Sequence, residues 1–384
     1  MPLDDDCLPA NRPACAVHVL ALNSGSSSLK FGLYRVLDGV VEVLFADRWA
    51  SLPGDAANAV ASIRTRLNAQ GLPLPSVIGH RVVHGGPQLR DHAHIDATVL
   101  RQLSSAEAFA PLHTRAMLAL VQQATQHYPG VPQVACLDTA FHAHKPEEAT
   151  VLPLPAALRA RGLQRYGFHG LSCASIVRAL SGELPRRLII AHLGSGASVT
   201  AVLDGRCVDT SMGLTPSGGL LMGCRMGDVD PGLLVYLARE LQFDAAQLEA
   251  LVDHGSGMLA LSGLSGDLRV LRAAVLAGGP ASAGAALAIQ VWTVSLRKQL
   301  AAMAVMLGGV DRIVLTGGIG ENDAALRADL VHGLSGIGLP PDSLCRDGGV
   351  LRVMATQEES QIAIHAAAMG APSGLCQPPS PAIR

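Results

Sequence analysis

A unit of three strands joined by tight turns occurs twice in this chain, about half its length apart. In the first copy, Val17-His18-Val19-Leu20-Ala21-Leu22 reads as a buried strand. The small-residue loop Asn23-Ser24-Gly25-Ser26-Ser27-Ser28-Leu29-Lys30 follows, and Phe31, Leu33 and Val36 then alternate as a second strand does. In the second copy Leu188-Ile189-Ile190-Ala191 is the strand and His192-Leu193-Gly194-Ser195-Gly196-Ala197-Ser198 the turn, with Val199 to Leu203 returning. Both returning strands end alike, in Val36-Leu37-Asp38-Gly39 and Val202-Leu203-Asp204-Gly205, and Asp-Gly at such a point marks a hairpin. Repetition of this kind predicts a duplicated domain.

The two turns also carry chemistry. Small residues let backbone N–H groups approach an anion, serine hydroxyls add donors, and Lys30 adds a full charge. Taken alone, either turn is equally well an ordinary hairpin. A third loop, Thr316-Gly317-Gly318-Ile319-Gly320-Glu321-Asn322, lies between the strand ending at Leu315 and a helical stretch from Asp323 to Leu334. Glycine loops before a helix suit phosphate, and three such elements point to a nucleotide. No G-x-x-x-x-G-K-[ST] occurs, nor a G-x-G-x-x-G opening a helix after an N-terminal strand, which sets aside the P-loop and dinucleotide-binding folds.

At 384 residues the chain is long enough for two cores. A net charge of −2 gives no bias towards polyanions, so no nucleic-acid partner is expected. Eight cysteines without a C-x-x-C pair read as free thiols of a cytoplasmic protein. Residues 1–16 lack an apolar segment and read as a disordered extension, and the four-proline tail from Pro372 reads as loose. The apolar stretch Ala281 to Val310 is interrupted by Arg297 and Lys298, so it predicts a core helix and no membrane span. Further helices are expected over Ala57 to Asn68 and Arg115 to His127, and a strand over Val131 to Leu137.

Arg81 lies in an apolar strand running into Gly85-Gly86, and Arg225 sits between Gly223-Cys224 and Met226-Gly227. An arginine in such surroundings needs an anion, and its planar fork suits carboxylate or phosphate. A structural ion pair is the alternative, for Arg225 with Asp228 or Asp230. His169, in Tyr166-Gly167-Phe168-His169-Gly170, and His113, in Ala110-Pro111-Leu112-His113, are on local grounds as well read as satisfied core histidines. Asp138 at a strand end is as well read as a helix cap, and Glu358 as first-turn helix charge.

Taken together, these segments resemble the acetokinase family of the actin-like, sugar-kinase-like ATPase superfamily. The matches are N-S-G-S-S-S-L-K at 23–30, G-H-R-V-V-H-G-G at 79–86, A-P-L-H at 110–113, D-T-A-F-H at 138–142 and R-Y-G-F-H-G at 165–170. H-L-G at 192–194, D-T-S-M-G-L-T-P at 209–216, G-D-V-D-P-G at 227–232 and G-G-I-G-E-N at 317–322 continue in family order. The resemblance implies two ribonuclease-H-like α/β domains around a central cleft. The first spans residues 17–150 plus a returning helix within 361–384; the second, nucleotide-binding domain spans 151–360. It also implies a cytoplasmic homodimer that moves the γ-phosphoryl group of ATP to acetate, giving acetyl phosphate and ADP, with Mg²⁺ or Mn²⁺.

Carried over position by position, the resemblance makes Arg81, Asp138, His169, Arg225 and His113 catalytic. Asn23 and Glu358 would bind the metal, and Val83, Leu112, Phe168 and Pro216, with Arg81, would line the acyl pocket. Ser26, Ser28 and Lys30 would meet the nucleotide, as would His192, Gly194, Ser195 and Gly196. So would Asp267, Leu268 and Arg269, together with Gly318, Ile319, Gly320 and Asn322. The chain departs from the family at Ser195 (Asn), Leu171 and Cys173 (Thr and His), Gly218 (Glu), Cys224 and Met226 (small polar residues), Leu268 (Phe) and Thr114 (Asn). These departures predict altered kinetics and weaker nucleotide affinity. A kinase for propionate or another short acyl group stands as the second reading, and a degenerate nucleotide-binding regulator as the third.

Overall fold

The computed structural model describes residues 16–25, 28–50, 58–335, 339 and 349–370. The N-terminal extension, the proline-rich tail and Ser26 lie outside them, as do the side chains of Pro111 and Leu112.

Two mixed sheets form the body of the protein. The first contains β1 (Val17–Ser24), β2 (Leu29–Leu37), β3 (Val40–Trp49), β4 (Val77–Val82), β5 (Ala93–His94) and β6 (Gln133–Leu137), in the order β3-β2-β1-β4-β6-β5. The second contains β7 (Arg187–Leu193), β8 (Ala197–Leu203), β9 (Arg206–Thr210), β10 (Arg312–Thr316) and β11 (Leu351–Val353), in the order β11-β10-β7-β8-β9. In each, the first three strands form an antiparallel meander, and two later strands add in parallel on the other side of the first, β4 then β6 and β10 then β11, with β5 antiparallel at the edge of the first sheet. The duplication read from sequence is thus a duplication of topology. It extends to detail: Asp38-Gly39 and Asp204-Gly205 take the same left-handed turn, with φ of 49° and 78° and of 49° and 79°. Two successive positive φ values give the turn whose twist matches paired strands. A register shift follows in both copies, at Leu33/Tyr34 and at Ala201/Val202.

Parallel strands covered on both faces must be apolar throughout. Accordingly β1 buries Val19 to Leu22, and β7 buries Leu188 to Ala191. The helix Glu358–Gly370 lies on the first sheet, packing Ile362, Ala363 and Ala366 on Val19, Ala21, Val77 and Val134. Gly79 makes this approach possible, since a Cβ there would lie 2.6 Å from the Ile362 side chain. The apolar stretch before Val310 forms the helix Ser282–Met306, whose Trp292, Leu296 and Leu300 fill the second core. Among the described residues no helix is long and apolar enough to cross a membrane.

Two local expectations change. The helix expected from Arg115 begins at Pro111, because proline at the first position loses no hydrogen bond and has its φ already set. The glycine stretch expected as a loop is itself a short helix, Gly317–Asn322, entered through Gly317 at φ 78°.

Candidate active site

Three neighbouring strand ends create the centre of the site. β1 and β4 run parallel with Leu22 beside His80, and β4 and β6 with Val82 beside Leu137. Asn23, Arg81 and Asp138 therefore come side by side at carboxyl ends of strands, where open α/β sheets bind ligands. Asp138 Oδ2 accepts from Arg81 Nε at 2.8 Å and Nη2 at 2.6 Å, and Asn23 Oδ1 accepts from Nη1 at 3.2 Å. Asn23 Nδ2 in turn donates to Glu358 Oε2 at 3.0 Å and Glu359 Oε1 at 2.7 Å, while Lys30 Nζ stands 3.5 Å from Glu359. Glu359 was not anticipated; only the approach of its helix brings it here.

Burial pushes the Asp138 carboxyl above its ordinary range, with Arg81 pulling against it and Glu358 adding to it. Glu358 is also penalised by burial, but Arg81, His192, Lys30 and the Asn23 hydrogen bond outweigh this and hold it below the usual value. Asp138 Oδ1 is buried and has no hydrogen-bond partner. Hard oxygen donors with one acceptor unused suit a magnesium ion, which takes one or two carboxylates and fills its shell with water and phosphate. Among the described residues no three His, Cys, Asp or Glu side chains form a metal cage.

His169 is set against Asp138 by a seam between residues 138–145 and 165–170. Gly170 N–H donates to Asp138 O at 2.8 Å, and a Cβ on Gly170 would lie 2.2 Å from that oxygen. His142 Nε2 bonds the Phe168 carbonyl at 2.9 Å, and Lys145 Nζ donates to the carbonyls of Arg165 at 2.6 Å and Tyr166 at 3.3 Å. These bonds hold His169 in the left-handed region, at φ 59°, a conformation a non-glycine residue keeps only when its surroundings impose it. His142 was quoted in the D-T-A-F-H motif without a role; the fold gives it this one. The His169 ring stacks on His192, with centroids 4.2 Å apart, and its Nδ1 lies 2.9 Å from Ser198 Oγ. Burial, then His192, Arg81 and Arg225, push its pKa well below the ordinary value, so the ring is neutral at pH 7.

Arg225 makes no ion pair among the described residues; its Nη1 donates to Pro216 O at 3.3 Å. The candidate partners are used elsewhere: Asp228 accepts from Gly219 N–H, and Asp230 caps the helix Pro231–Glu240. A Cβ on Gly196 would sit 3.1 Å from Arg225 Nη1 and 3.3 Å from His169 Nε2, so both groups face one small space. His113 is pushed down to about 4 by burial, then by Arg81 and Arg225. Around the space beside Gly196 the site thus presents the Arg225 cation and the neutral His169 imidazole, groups that suit an anionic oxygen.

Val83 and Phe168 belong to the second core, and Pro216 is partly buried with its carbonyl accepting from Arg225. His84, not singled out from sequence, stands against Phe168 and Tyr166, with ring centroids 5.5 and 4.4 Å away. Among the nucleotide candidates, Gly194 and Gly196 close a turn through a 2.9 Å bond, leaving Ser195 exposed at its tip, and His192 bonds Ser172. Ser28 O accepts from Gly25 N–H at 2.8 Å. Asp267 caps its helix and pairs with exposed Arg269. Leu268 between them is in the core, so it presents no face to a nucleotide. Gly318, Ile319, Gly320 and Asn322 lie on the short helix Gly317–Asn322. Its Glu321 accepts from Gly317 N–H and from Thr356 N–H, tying this turn to the segment leading into Glu358. Cys173 is buried beside Thr200 in the core, which accounts for an apolar thiol being tolerated there.

A family model described as the Acetokinase family matches residues 18–367. The acetate kinase of Deinococcus radiodurans is 41% identical over 349 residues, covering 84% of this chain and 87% of that protein. Among solved structures, acetate kinase from Porphyromonas gingivalis is 32% identical with a TM-score of 0.77, covering 91% of this chain and 99% of that one. A propionate kinase from Francisella tularensis is 29% identical with a TM-score of 0.79, covering 92% and 100%.

Proposed function

This chain belongs to the acetokinase family, and on that premise we propose that it is a cytoplasmic acetate kinase, transferring the γ-phosphoryl group of ATP to acetate and back. The observation that carries the reading is the pairing of Arg225, a partly buried cation with no ion pair among the described residues, with neutral His169 around the space beside Gly196. Such a space suits a transferring phosphoryl group, whose charge spreads over its equatorial oxygens.

Acetate is already ionised at neutral pH, so it needs orientation and not a base. Its oxygen attacks phosphorus as the bond to the ADP oxygen breaks. Arg81 orients the carboxylate, Val83, Phe168 and Pro216 enclose its methyl group, and Arg225, His169 and His113 face the moving phosphoryl group. Asp138 fixes Arg81. Magnesium, held through Asn23, Glu358 and Asp138, would neutralise phosphate charge. The loops at 25–30, 192–196, 267–269 and 318–322 would hold ATP, in a cleft between units of residues 17–150 with 361–384 and 151–360. Leu268, being core, would act there through its neighbours.

The functional unit in this reading is a homodimer. Its support is a set of exposed apolar side chains on the second unit, including Val235 and Tyr236, Leu276, and Leu287 and Val294 of the long helix.

ADP release with Mg·ATP and acetate, propionate or butyrate tests the reading, with Arg225→Ala as control. Acetate-dependent turnover lost in the control is expected. Faster turnover of propionate would favour the second reading, which the likeness to the Francisella enzyme supports. ATP binding without carboxylate-dependent turnover would leave the regulator.

A further inference from the structure

We propose that Ser198 is a positioning residue: by donating its hydroxyl proton to His169 Nδ1, it holds the imidazole in the tautomer that carries its one proton on Nε2. Ser198 is fully buried near the start of β8, opposite His192 in the antiparallel register. Its Oγ lies 2.9 Å from His169 Nδ1, and that is its one side-chain hydrogen bond among the described residues. A hydroxyl has a single proton, and leaving it buried without an acceptor is costly. Were Nδ1 protonated, it would donate to Oγ and the serine proton would have nowhere to go. With Oγ as donor, both groups are satisfied.

The ring is neutral, because burial and the surrounding cations oppose a second proton. Its proton then belongs on Nε2, the nitrogen that faces the space beside Gly196 and Arg225 Nη1. An N–H aimed there meets an anionic oxygen as a donor, whereas the other tautomer would present a lone pair to it. The neighbouring pair shows what makes Ser198 decisive. Ser172 Oγ lies 2.8 Å from His192 Nδ1 and also accepts from Thr356 Oγ1 at 2.9 Å, a second hydroxyl partner that Ser198 lacks among the described residues.

The ring ¹⁵N spectrum of the protein labelled at histidine tests the assignment, the His169 signals being identified by their loss in His169→Gln. A protonated Nε2 with an acceptor-type Nδ1 is expected, and a protonated Nδ1 overturns the proposal. Ser198→Ala is expected to let the proton redistribute and to lower kcat about tenfold with KM little changed, the size of one lost hydrogen bond acting in the transition state. Ser198→Thr, which keeps the hydroxyl, should restore both the spectrum and the rate. An unchanged tautomer in folded Ser198→Ala, or a rate loss there with normal tautomer, refutes the role. The kinetic arm rests on the acetate kinase reading, whereas the wild-type spectrum decides the tautomer even if neither acetate nor propionate is turned over.

Discussion

Asp138→Asn removes a charge while keeping the shape, and so isolates the electrostatics of the pair at the centre of the site. Both nitrogens of Arg81 that reach Asp138 use the same oxygen, at 2.8 and 2.6 Å, and the two side chains are 16% and 1% exposed. Unit charges about 4 Å apart attract by about 4 kcal/mol at an effective dielectric near 20, against a desolvation penalty of several kcal/mol per ion. The intact pair therefore contributes little net stability, but breaking it from one side costs about 3–5 kcal/mol. Arg81 would retain Asn23 Oδ1 at 3.2 Å and the nearby Glu358 carboxylate. Asp138→Asn thus falls at the low end, about 3 kcal/mol. Arg81→Met strands Asp138 beside Glu358 with Oδ1 already unpartnered, the high end, about 5 kcal/mol. The double variant has no stranded charge and should cost clearly less than Arg81→Met alone, far below the sum of about 8 kcal/mol. Urea unfolding at neutral pH followed by Trp49, which packs on Phe31 in the same sheet, measures all three. Additivity within about 0.5 kcal/mol would refute the reasoning, because independent sites add to that accuracy.

Gly196→Ala should fold normally and lose about a hundredfold in turnover, since its Cβ would fill the space between Arg225 and His169; wild-type kcat in a folded variant would show that the space is not used. Buried, neutral His80 and His142, pushed down to about 4 and about 3 chiefly by burial, take their protons only in the unfolded chain as pH falls below about 6.5. Their contribution is complete above that pH and lost towards pH 4, by up to about 1.4 kcal/mol per histidine per pH unit. Unfolding midpoints measured from about pH 7.5 to 4.5 should fall accordingly, more shallowly in His80→Gln; a flat profile would contradict the buried neutral state.

The repeat at 17–39 and 188–205 was legible because strand alternation, small-residue turns and Asp-Gly signals are local properties of the backbone. They determined two related α/β units, and ordered motifs with them determined the family. Arg225 was ambiguous for a reason equally physical: Asp228 and Asp230 are near it in sequence, and only the folded chain commits them to Gly219 and to a helix cap. The resemblance made Leu268 a nucleotide contact, and helix geometry turns it into the core. Glu359, His142 and Ser198 gave no local signal of the role each takes in the fold. Each acts on a residue far along the chain, Asn23, Phe168 and His169 respectively, brought near by sheet pairing and by a helix returning from the far end. Sequence determines what the backbone does over a few residues; which side chains share a proton or a charge is decided by long-range packing.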